Sequence, residues 1–364
     1  MRRLSMNELW WKQIASARDF IEQIADHVAF GKAVLLYLPE WTPWCGTFQA
    51  EIEVGLQNRN SENRLDIISC PDGDIGQYLF ESYCKKGKKA SYRPTCSYAQ
   101  FLARNSDIVL NQRYLWVKGI SEGRLKAWEK FIAEYTAAVQ PREACAGFIL
   151  ETAFPIARRV NSQLFVSFDF AQSVTSYDSF TFCALAGAET DMPEALRPYL
   201  TEVVSTLCQK DIELCAVCLM DWKDFFRSPI ERYCSLIKSG LRSNGKSFGV
   251  VADEVQLSHS LWEAQLKQLF PIIERYRSDF IQLYFHEIEA LLPVSNRLGE
   301  DLSTPQDVEL GILYYWALHE QIKTSNNEYH TLDFFRKMRN NLAHLNPLKS
   351  EDVYQILSYI KTAG

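Results

Sequence analysis

The sequence lacks the features that mark membrane, secreted and strongly basic proteins. No apolar run approaches the roughly 18 residues that a membrane-spanning helix needs. The start, MRRLSMNELWWKQ, has two arginines but no apolar core of about seven or more residues behind them, which argues against a secretory signal. The formal net charge is −6, so any contact with nucleic acid must come from a local basic patch.

The ten cysteines follow no disulfide or zinc pattern. Most lie in apolar stretches such as DIISC and FTFCAL, as small buried side chains do. A chain of this length does not need disulfides for stability, so we expect a reducing cytoplasm. Cys215 and Cys218 form one CxxC, but a zinc site needs four ligands and no second pair with matching spacing lies nearby. A helix turn in the core is the favoured interpretation, and we expect no metal or cofactor.

The first part of the chain predicts an α/β domain at residues 1–175. The whole chain has 364 residues, which exceeds one ordinary domain. Its contents of 47% hydrophobic and 13% aromatic residues suit packed cores. Helical stretches, notably 121–139, separate short apolar runs. Because strands that alternate with helices favour a parallel arrangement, we expect a mainly parallel sheet. The predicted strands lie at 32–39, 65–70, 113–120, 146–152 and 163–170.

Helices are predicted before and after this sheet. One helix is expected over 7–30, with Asn7 as N-cap and Gly31 as C-cap. A mostly helical connecting or lid region is expected over 176–257, and an antiparallel helical bundle over 258–364. In the bundle, Pro271 is expected to kink or divide a long helix. Further helices are predicted at 305–323, 331–345 and 350–361.

One segment matches a phosphate-binding P-loop letter for letter. In SGLRSNGKSFG, Gly240 is followed after four residues by Gly245, Lys246 and Ser247. A P-loop follows a buried strand and opens a helix, whereas the residues before this segment predict a helix and those after it an extended chain. The four residues are therefore candidate phosphate ligands, and a solvated turn is the favoured alternative.

The loop after the first strand, LPEWTPWCGTF, occupies the place where a P-loop ATPase holds its glycine-rich turn. It lacks the Gly-Lys-Ser/Thr ending, and the third strand ends without a magnesium-binding acidic residue. The order of elements resembles the AAA/STAND type of P-loop NTPase. The resemblance implies a degenerate nucleotide-binding fold that serves as a scaffold or sensor.

A polar cluster lies near the end of the chain, in TLDFFRKMRNNLAHLNPLKSEDV. We expect Thr331 to cap a helix that ends before Pro347. Helical spacing places Phe335, Met338, Leu342 and Leu345 on one apolar stripe. Another face carries Arg336, Arg339, Asn340, Ala343 and His344 and no carboxylate, so its cations predict a bound anion such as a phosphodiester. A solvated face with a chance histidine is the alternative.

This cluster resembles the motif of HEPN domains. RNNLAH, residues 339–344, matches an arginine followed after four to six residues by a histidine, with the polar Asn340 directly after the arginine. The resemblance covers roughly residues 258–364. It implies a metal-independent endoribonuclease that works as a homodimer or larger assembly, in antiviral defence or a toxin–antitoxin pair. Other HEPN domains are non-catalytic scaffolds or dock a partner protein, and an NTP-dependent switch at 240–247 is a further alternative.

RNA cleavage assigns a role to each polar residue. RNA carries its own nucleophile, the 2′-hydroxyl, so the protein must remove a proton and stabilise the phosphorane. His344 is the candidate general base, and Arg339 the candidate ligand of the non-bridging oxygens. Asn340 can hold the imidazole or the phosphate, while Arg336 and Asn341 are candidate RNA-binding residues.

Overall fold

The computed structural model describes residues 4–104, 108–140, 144–156, 160–249, 253–295, 299 and 301–362. The chain forms two compact units, Met1–Asp178 and Ser179–Gly364. The first is α/β and the second is mostly helical, which confirms the predicted combination of fold classes. Among the helices in the described ranges, none combines the length and the apolar character that crossing a membrane requires.

The first unit contains five strands and eight α-helices within the described residues. The strands are β1 (Ala33–Tyr37), β2 (Arg64–Ser69), β3 (Arg113–Ile120), β4 (Gly147–Thr152) and β5 (Phe165–Asp169). The helices are α1 (Met6–Gln13), α2 (Ala15–Ala29), α3 (Cys45–Arg59), α4 (Ile75–Tyr83), α5 (Lys86–Lys89), α6 (Tyr98–Ala103), α7 (Glu122–Ala138) and α8 (Phe170–Ser173), with a 3-10 turn at Val109–Gln112.

The five strands form one parallel sheet in the order β2-β3-β4-β1-β5. All five were predicted, and each begins and ends within two residues of its predicted bounds. Parallel strands need crossover connections, and helices connect β1 to β2, β2 to β3, and β3 to β4 along the chain. Side chains alternate between the two faces of the sheet. Leu115, Val117 and Leu150 pack on one face into the core that includes Trp128 and Phe131 of α7.

The predicted single helix over 7–30 is wrong, because the chain breaks it at Ile14. Ser5, not Asn7, precedes the first helix, and its hydroxyl and amide both donate to the Glu8 carboxylate. Ile14 has an extended backbone (φ −78°, ψ 120°) and is 1% exposed. Neither glycine nor proline marks the break, so packing of this buried side chain overrides the local helical pattern.

The second unit contains the remaining elements. They are α9 (Ser176–Ala188, which begins just before the boundary), α10 (Arg197–Cys208), α11 (Ile212–Met220), α12 (Trp222–Arg227), α13 (Pro229–Ser239), α14 (Glu254–Leu283), α15 (Phe285–Ala290), α16 (Leu310–Leu318), α17 (Asn326–Ala343) and α18 (Ser350–Thr362). Two-residue strands, β6 (Val294–Ser295) and β7 (Asp301–Leu302), pair antiparallel, and 3-10 turns lie at Glu194–Leu196 and Pro305–Asp307.

An aromatic cluster joins the helices at the end of the chain. The ring of Tyr276 on α14 stacks on Phe335 of α17 with centroids 4.0 Å apart, and both rings meet Tyr359 of α18 at 5.4 Å. Pro271 lies inside α14 and does not divide it, since the helix runs on to Leu283. The region predicted as one helix over 305–323 is shorter in the structure, where α16 ends at Leu318.

A half-buried carboxylate, that of Glu151, lies near the carboxyl end of the central strand β4. Trp116 Nε1 on β3 donates to Glu151 Oε2 at 2.7 Å, and the Lys118 ammonium lies over the Trp116 ring. Burial raises the pKa of Glu151, although Lys118 and the Trp116 hydrogen bond oppose that effect. The ionised form is therefore less favourable in the folded protein than in the unfolded chain.

We expect Glu151→Gln to stabilise the first unit at pH values near 8 and to have little effect near pH 4. Because folding raises the pKa of Glu151, its protonated carboxyl contributes stability at pH values below the pKa in the unfolded chain. This contribution is lost as the pH rises through the pKa in the folded protein. The glutamine oxygen can still accept from Trp116. Thermal unfolding of both proteins at the two pH values tests this, and an equal shift at both would contradict it.

Candidate functional site

The polar cluster lies on α17, which begins earlier than predicted. Ser325 is the N-cap: its hydroxyl accepts from the Glu328 amide, and its own amide donates to the Glu328 carboxylate at 2.8 Å. Thr331, the predicted cap, lies inside the helix, where its hydroxyl donates to the Asn327 carbonyl. The serine three residues before a glutamate is a capping box, a signal that was present in the sequence.

The other end of α17 is closed by a Schellman motif. The Asn346 amide donates to the Asn341 carbonyl at 3.0 Å, and the Leu345 amide to the Leu342 carbonyl at 3.3 Å. His344 is the last residue of the helical path, and Leu345 has a left-handed backbone (φ 60°). Leu345 is 57% exposed, so its predicted place on the buried stripe is wrong; Phe335, Met338 and Leu342 are buried as predicted.

The polar residues lie at the surface of the second unit. Ala343 and His344 are exposed, as is Asn341, while Arg336, Arg339 and Asn340 are half-buried. Residues 336, 340 and 344 follow one another at intervals of four, which places them in one row along the helix, with Arg339 beside it. The helix thus presents an imidazole, an amide and two guanidinium groups to solvent on one side.

The expectation that no carboxylate neutralises Arg336 is wrong. Arg336 Nη2 lies 2.6 Å from Asp333 Oδ1, and the guanidinium lies over the Tyr314 ring at 4.3 Å. Lys337 Nζ lies 2.7 Å from the other oxygen of Asp333. Burial raises the pKa of Asp333, but hydrogen bonds from Lys337 and Arg336 outweigh it and the pKa is lowered. Asp333 lies one turn before its partners, so helical spacing alone predicts this contact.

Arg339 also contacts a carboxylate. Its Nη2 lies 3.2 Å from Glu309 Oε2, at the residue that precedes α16. The Arg339 Nε is buried and has no hydrogen-bond partner among the described residues, so the guanidinium retains an unused donor. Glu309 is 30 residues away in sequence, and only the packing of α16 on α17 brings it here. A phosphate must displace Glu309 or share the guanidinium with it.

Two side chains of α14 fix the turn that follows α17, and nothing in the sequence singled them out. Trp262 Nε1 donates to the Leu342 carbonyl at 2.7 Å. Gln265 is 1% exposed; its oxygen accepts from the Leu348 amide at 2.6 Å, and its nitrogen donates to the Leu348 carbonyl and the Tyr199 hydroxyl. These bonds satisfy backbone groups on both sides of His344, and so hold the chain that carries it.

The segment with the P-loop letters is a hairpin-like turn after helix α13. Leu241 and Ser247 form an antiparallel bridge, the Arg242 amide donates to the Lys246 carbonyl, and the Gly245 amide donates to the Arg242 carbonyl. Gly240 allows close approach, since a Cβ there would lie 2.5 Å from the Leu236 carbonyl oxygen. This arrangement corresponds to the solvated turn that was the alternative to a phosphate site.

Donors in this turn that a phosphate would need are already bonded to carboxylates of the protein. The Ser243 amide and hydroxyl both donate to Glu213, at 2.9 and 2.5 Å. Arg242 forms an ion pair with Asp211, whose pKa burial raises. The Lys246 amide donates to the Asn244 side chain. The amides of residues 242, 243, 245 and 246 are thus engaged inside the protein.

The loop after β1 is filled by aromatic packing. The Thr42 amide and hydroxyl both donate to the Pro39 carbonyl, and Trp11 Nε1 donates to the Pro43 carbonyl. Phe48, at the start of α3, is fully buried and meets the Trp11 ring at 4.9 Å. Thr42 thus directs both of its donors to the Pro39 carbonyl, and aromatic side chains pack where a P-loop would have its glycine-rich turn.

Cys215 and Cys218 lie in α11 and are fully buried, as the core-helix interpretation predicted. Cys218 Sγ lies 3.8 Å from Cys208 Sγ on α10. Within the described ranges, no group of three or more His, Cys, Asp or Glu residues is placed to hold a metal ion.

We expect Gln265→Leu to lower the free energy of unfolding of the second unit by about 2–4 kcal/mol, because the amide and carbonyl of Leu348 both lose a buried partner. Gln282→Leu is the matched control: Gln282 lies on the same helix but is exposed, and its replacement should change stability by less than about 0.5 kcal/mol. Urea unfolding of the two variants measures the difference, and similar losses in both would disprove the role of Gln265.

Comparison with known proteins does not assign the chain to a family. No protein-family model matches it, and neither does any curated protein.

Proposed function

We propose that residues 258–364 are a metal-independent endoribonuclease of the HEPN type. The proposal is carried by the position of His344, which is exposed at the end of α17, four residues after Asn340 and five after Arg339. Leu345, the next residue, has a left-handed backbone that costs an L-residue other than glycine or asparagine about 1–2 kcal/mol. Strain of this kind is found preferentially at functional sites.

The chemistry needs only groups that this surface offers. His344 takes the proton of the 2′-hydroxyl, and the resulting oxygen attacks the adjacent phosphorus. The bond from phosphorus to the 5′-oxygen breaks, and that oxygen takes up a proton from solvent, which leaves a 2′,3′-cyclic phosphate and a 5′-hydroxyl. Arg339 stabilises the charge on the non-bridging oxygens through its Nη atoms. Asn340 orients the imidazole or the phosphate, and Arg336 and Asn341 contact flanking nucleotides.

A homodimer or larger assembly through the last helices completes the site. One copy of α17 supplies one base and two arginines, and both arginines already contact a carboxylate. Two copies of the motif in a shared cleft supply twice the cationic charge, which offsets the free-energy cost of removing water from an RNA phosphate.

The first unit is the regulatory part of this proposal. Its parallel sheet and the helix after β1 support the resemblance to a degenerate P-loop NTPase of the AAA/STAND type. Because the loop at 38–44 is packed by aromatic side chains, we propose that this unit acts as a sensor or scaffold without ATP turnover. An antiviral defence or toxin–antitoxin setting in the cytoplasm, with a protein partner, completes the proposal.

A non-catalytic docking module is the second candidate. It is favoured by the two ion pairs, since guanidinium groups held by Asp333 and Glu309 are less available to a phosphate. Such a module would bind its partner without cleaving RNA, and its function would not use the His344 imidazole as a base.

We expect His344→Ala and Arg339→Ala to abolish cleavage of RNA in EDTA by the purified protein, because each removes a group that acts in the transition state. Both side chains lie outside the core, so folding should be intact. His330→Ala and Arg275→Ala are matched controls, since these residues are exposed on α17 and α14 away from the motif. Wild-type protein without activity would favour the docking module, and a His344→Ala variant that cleaves normally would refute the role of His344 in cleavage.

We expect Glu309→Gln to strengthen RNA binding by about two- to five-fold, because it frees the Arg339 guanidinium from an ion pair worth up to ~1 kcal/mol. The dissociation constant for a fluorescent RNA is the measurement.

Glu320→Gln is the control for this change, because it removes one negative charge just beyond the carboxyl end of α16. An equal gain in both variants would indicate a general effect of charge. Weaker RNA binding in Glu309→Gln would mean that the carboxylate positions Arg339 rather than restrains it.

A further inference from the structure

A strongly basic segment lies in the first unit of this acidic protein. Between Ser82 and Ser106 the sequence has six lysines and arginines and no Asp or Glu, although the whole chain has a net charge of −6. Five of these cations occur within residues 85–93: Lys85, Lys86, Lys88, Lys89 and Arg93. We call residues 85–93 the basic segment.

The fold concentrates these charges at the surface. Four of the five cations lie on or directly before α5, a helix of four residues that is only about 6 Å long. Lys85, Lys86 and Arg93 are exposed. Lys89 Nζ donates to the Glu81 carbonyl, and Arg93 Nη1 to the carbonyls of Ala90 and Tyr92. These bonds go to neutral oxygens, so they orient the two side chains without cancelling their charge.

Aromatic rings adjoin the basic segment. Lys89 Nζ lies over the Phe80 ring, which in turn meets the rings of Tyr92 and Tyr98 at 5.2 and 5.1 Å. Tyr92 and Tyr98 are stacked, with centroids 4.6 Å apart and an interplanar angle of 14°. Proteins that bind single-stranded nucleic acid combine cations, which contact the phosphates, with aromatic rings on which bases stack.

The two tyrosines line a cavity of about 450 Å³. The cavity is also lined by Arg124 of α7, whose Nη2 donates to the carbonyls of Pro71 and Gly73. The Arg124 Nε is buried and has no hydrogen-bond partner within the described part of the chain. The volume lies within the ~300–1,000 Å³ range of small-ligand sites, which is large enough for one base.

We propose that the basic segment binds the phosphate backbone of single-stranded RNA, and that the cavity beside Tyr98 accepts one of its bases. The choice of RNA among polyanions rests on the proposed function; the binding surface itself does not require cleavage. An anionic membrane is the less favoured partner. Among the described residues of 82–104 no large apolar side chain is exposed, whereas proteins that lie on membranes insert apolar groups.

The test is binding of a fluorescent 20-nucleotide uridine RNA to the full chain, in EDTA and with His344→Ala present in every protein so that the RNA stays intact. The triple variant Lys85→Gln, Lys86→Gln, Arg93→Gln is compared with Lys223→Gln, Lys238→Gln, Lys323→Gln, which removes three exposed charges elsewhere. For single strands each phosphate contact contributes about 0.7 to the slope of log K against log salt concentration. We expect the first variant to lose up to about 2 from that slope and to bind roughly ten-fold or more weakly at 0.1 M salt, and the second to bind nearly as well as the protein with His344→Ala alone.

A further variant tests the cavity. Tyr98→Leu should weaken binding of the uridine RNA several-fold and leave binding of an abasic ribose-phosphate oligomer unchanged, because only the base meets the ring. Equal effects on both oligomers would remove the cavity from the proposal.

Three results would overturn the proposal: unchanged RNA binding in the first triple variant, equal losses in both triple variants, or capture by phosphatidylserine vesicles without RNA binding. The outcome is separable from the nuclease proposal. Segment-dependent binding, together with no cleavage by the chain that retains His344, would refute the nuclease alone. Cleavage by the chain that retains His344, together with unchanged binding in the first triple variant, would refute the basic segment alone.

Discussion

The candidate site depends on how the carboxyl end of α17 satisfies its backbone. The last carbonyls of a helix have no partner within it, and here the turn at Leu345 and Asn346 supplies two of the missing donors. Trp262 adds a third donor from α14, to the Leu342 carbonyl. Gln265 then holds the chain at Leu348, four residues after His344. Because these bonds act on the backbone, they hold His344 in place while leaving its side chain exposed.

Hydrogen bonding also distinguishes the loop after β1 from a phosphate-binding loop. In a phosphate loop, consecutive amides point at the ligand. In the loop after β1, the Thr42 amide turns to Pro39 and the indole of Trp11 takes the Pro43 carbonyl. Aromatic rings such as Phe48 pack beside this loop. The carboxylate of Glu151 on the central strand β4 accepts a hydrogen bond from Trp116. This unit combines a five-stranded parallel sheet with an aromatic-packed loop after β1, and its role as a sensor or scaffold is our proposal.

Local signals in the sequence predicted much of the fold, and long-range contacts account for what it missed. The inner strands β1, β3 and β4 were predictable because parallel strands buried on both faces read as continuous apolar runs. The edge strand β2 is partly exposed and was predicted from a shorter apolar run. The buried stripe of α17 followed from helical spacing as far as Leu342, and failed at Leu345 because a non-glycine residue in the left-handed region leaves no mark in the sequence. Asp333 was predictable as a partner of Arg336, one helical turn away. Glu309 was not, since only the packing of α16 on α17 brings it to Arg339.

The central claim is that this surface uses the 2′-hydroxyl of RNA as the nucleophile, and the most direct measurement is of the product ends. An RNA with one 2′-deoxy residue at the principal cleavage position is incubated with the purified chain in EDTA, beside the all-ribose RNA. We predict that the all-ribose strand yields a 2′,3′-cyclic phosphate and a 5′-hydroxyl, and that the substituted bond stays intact. Cleavage of the deoxy-substituted bond, or products with a 5′-phosphate, would contradict the assignment of His344 as the base that activates the 2′-hydroxyl.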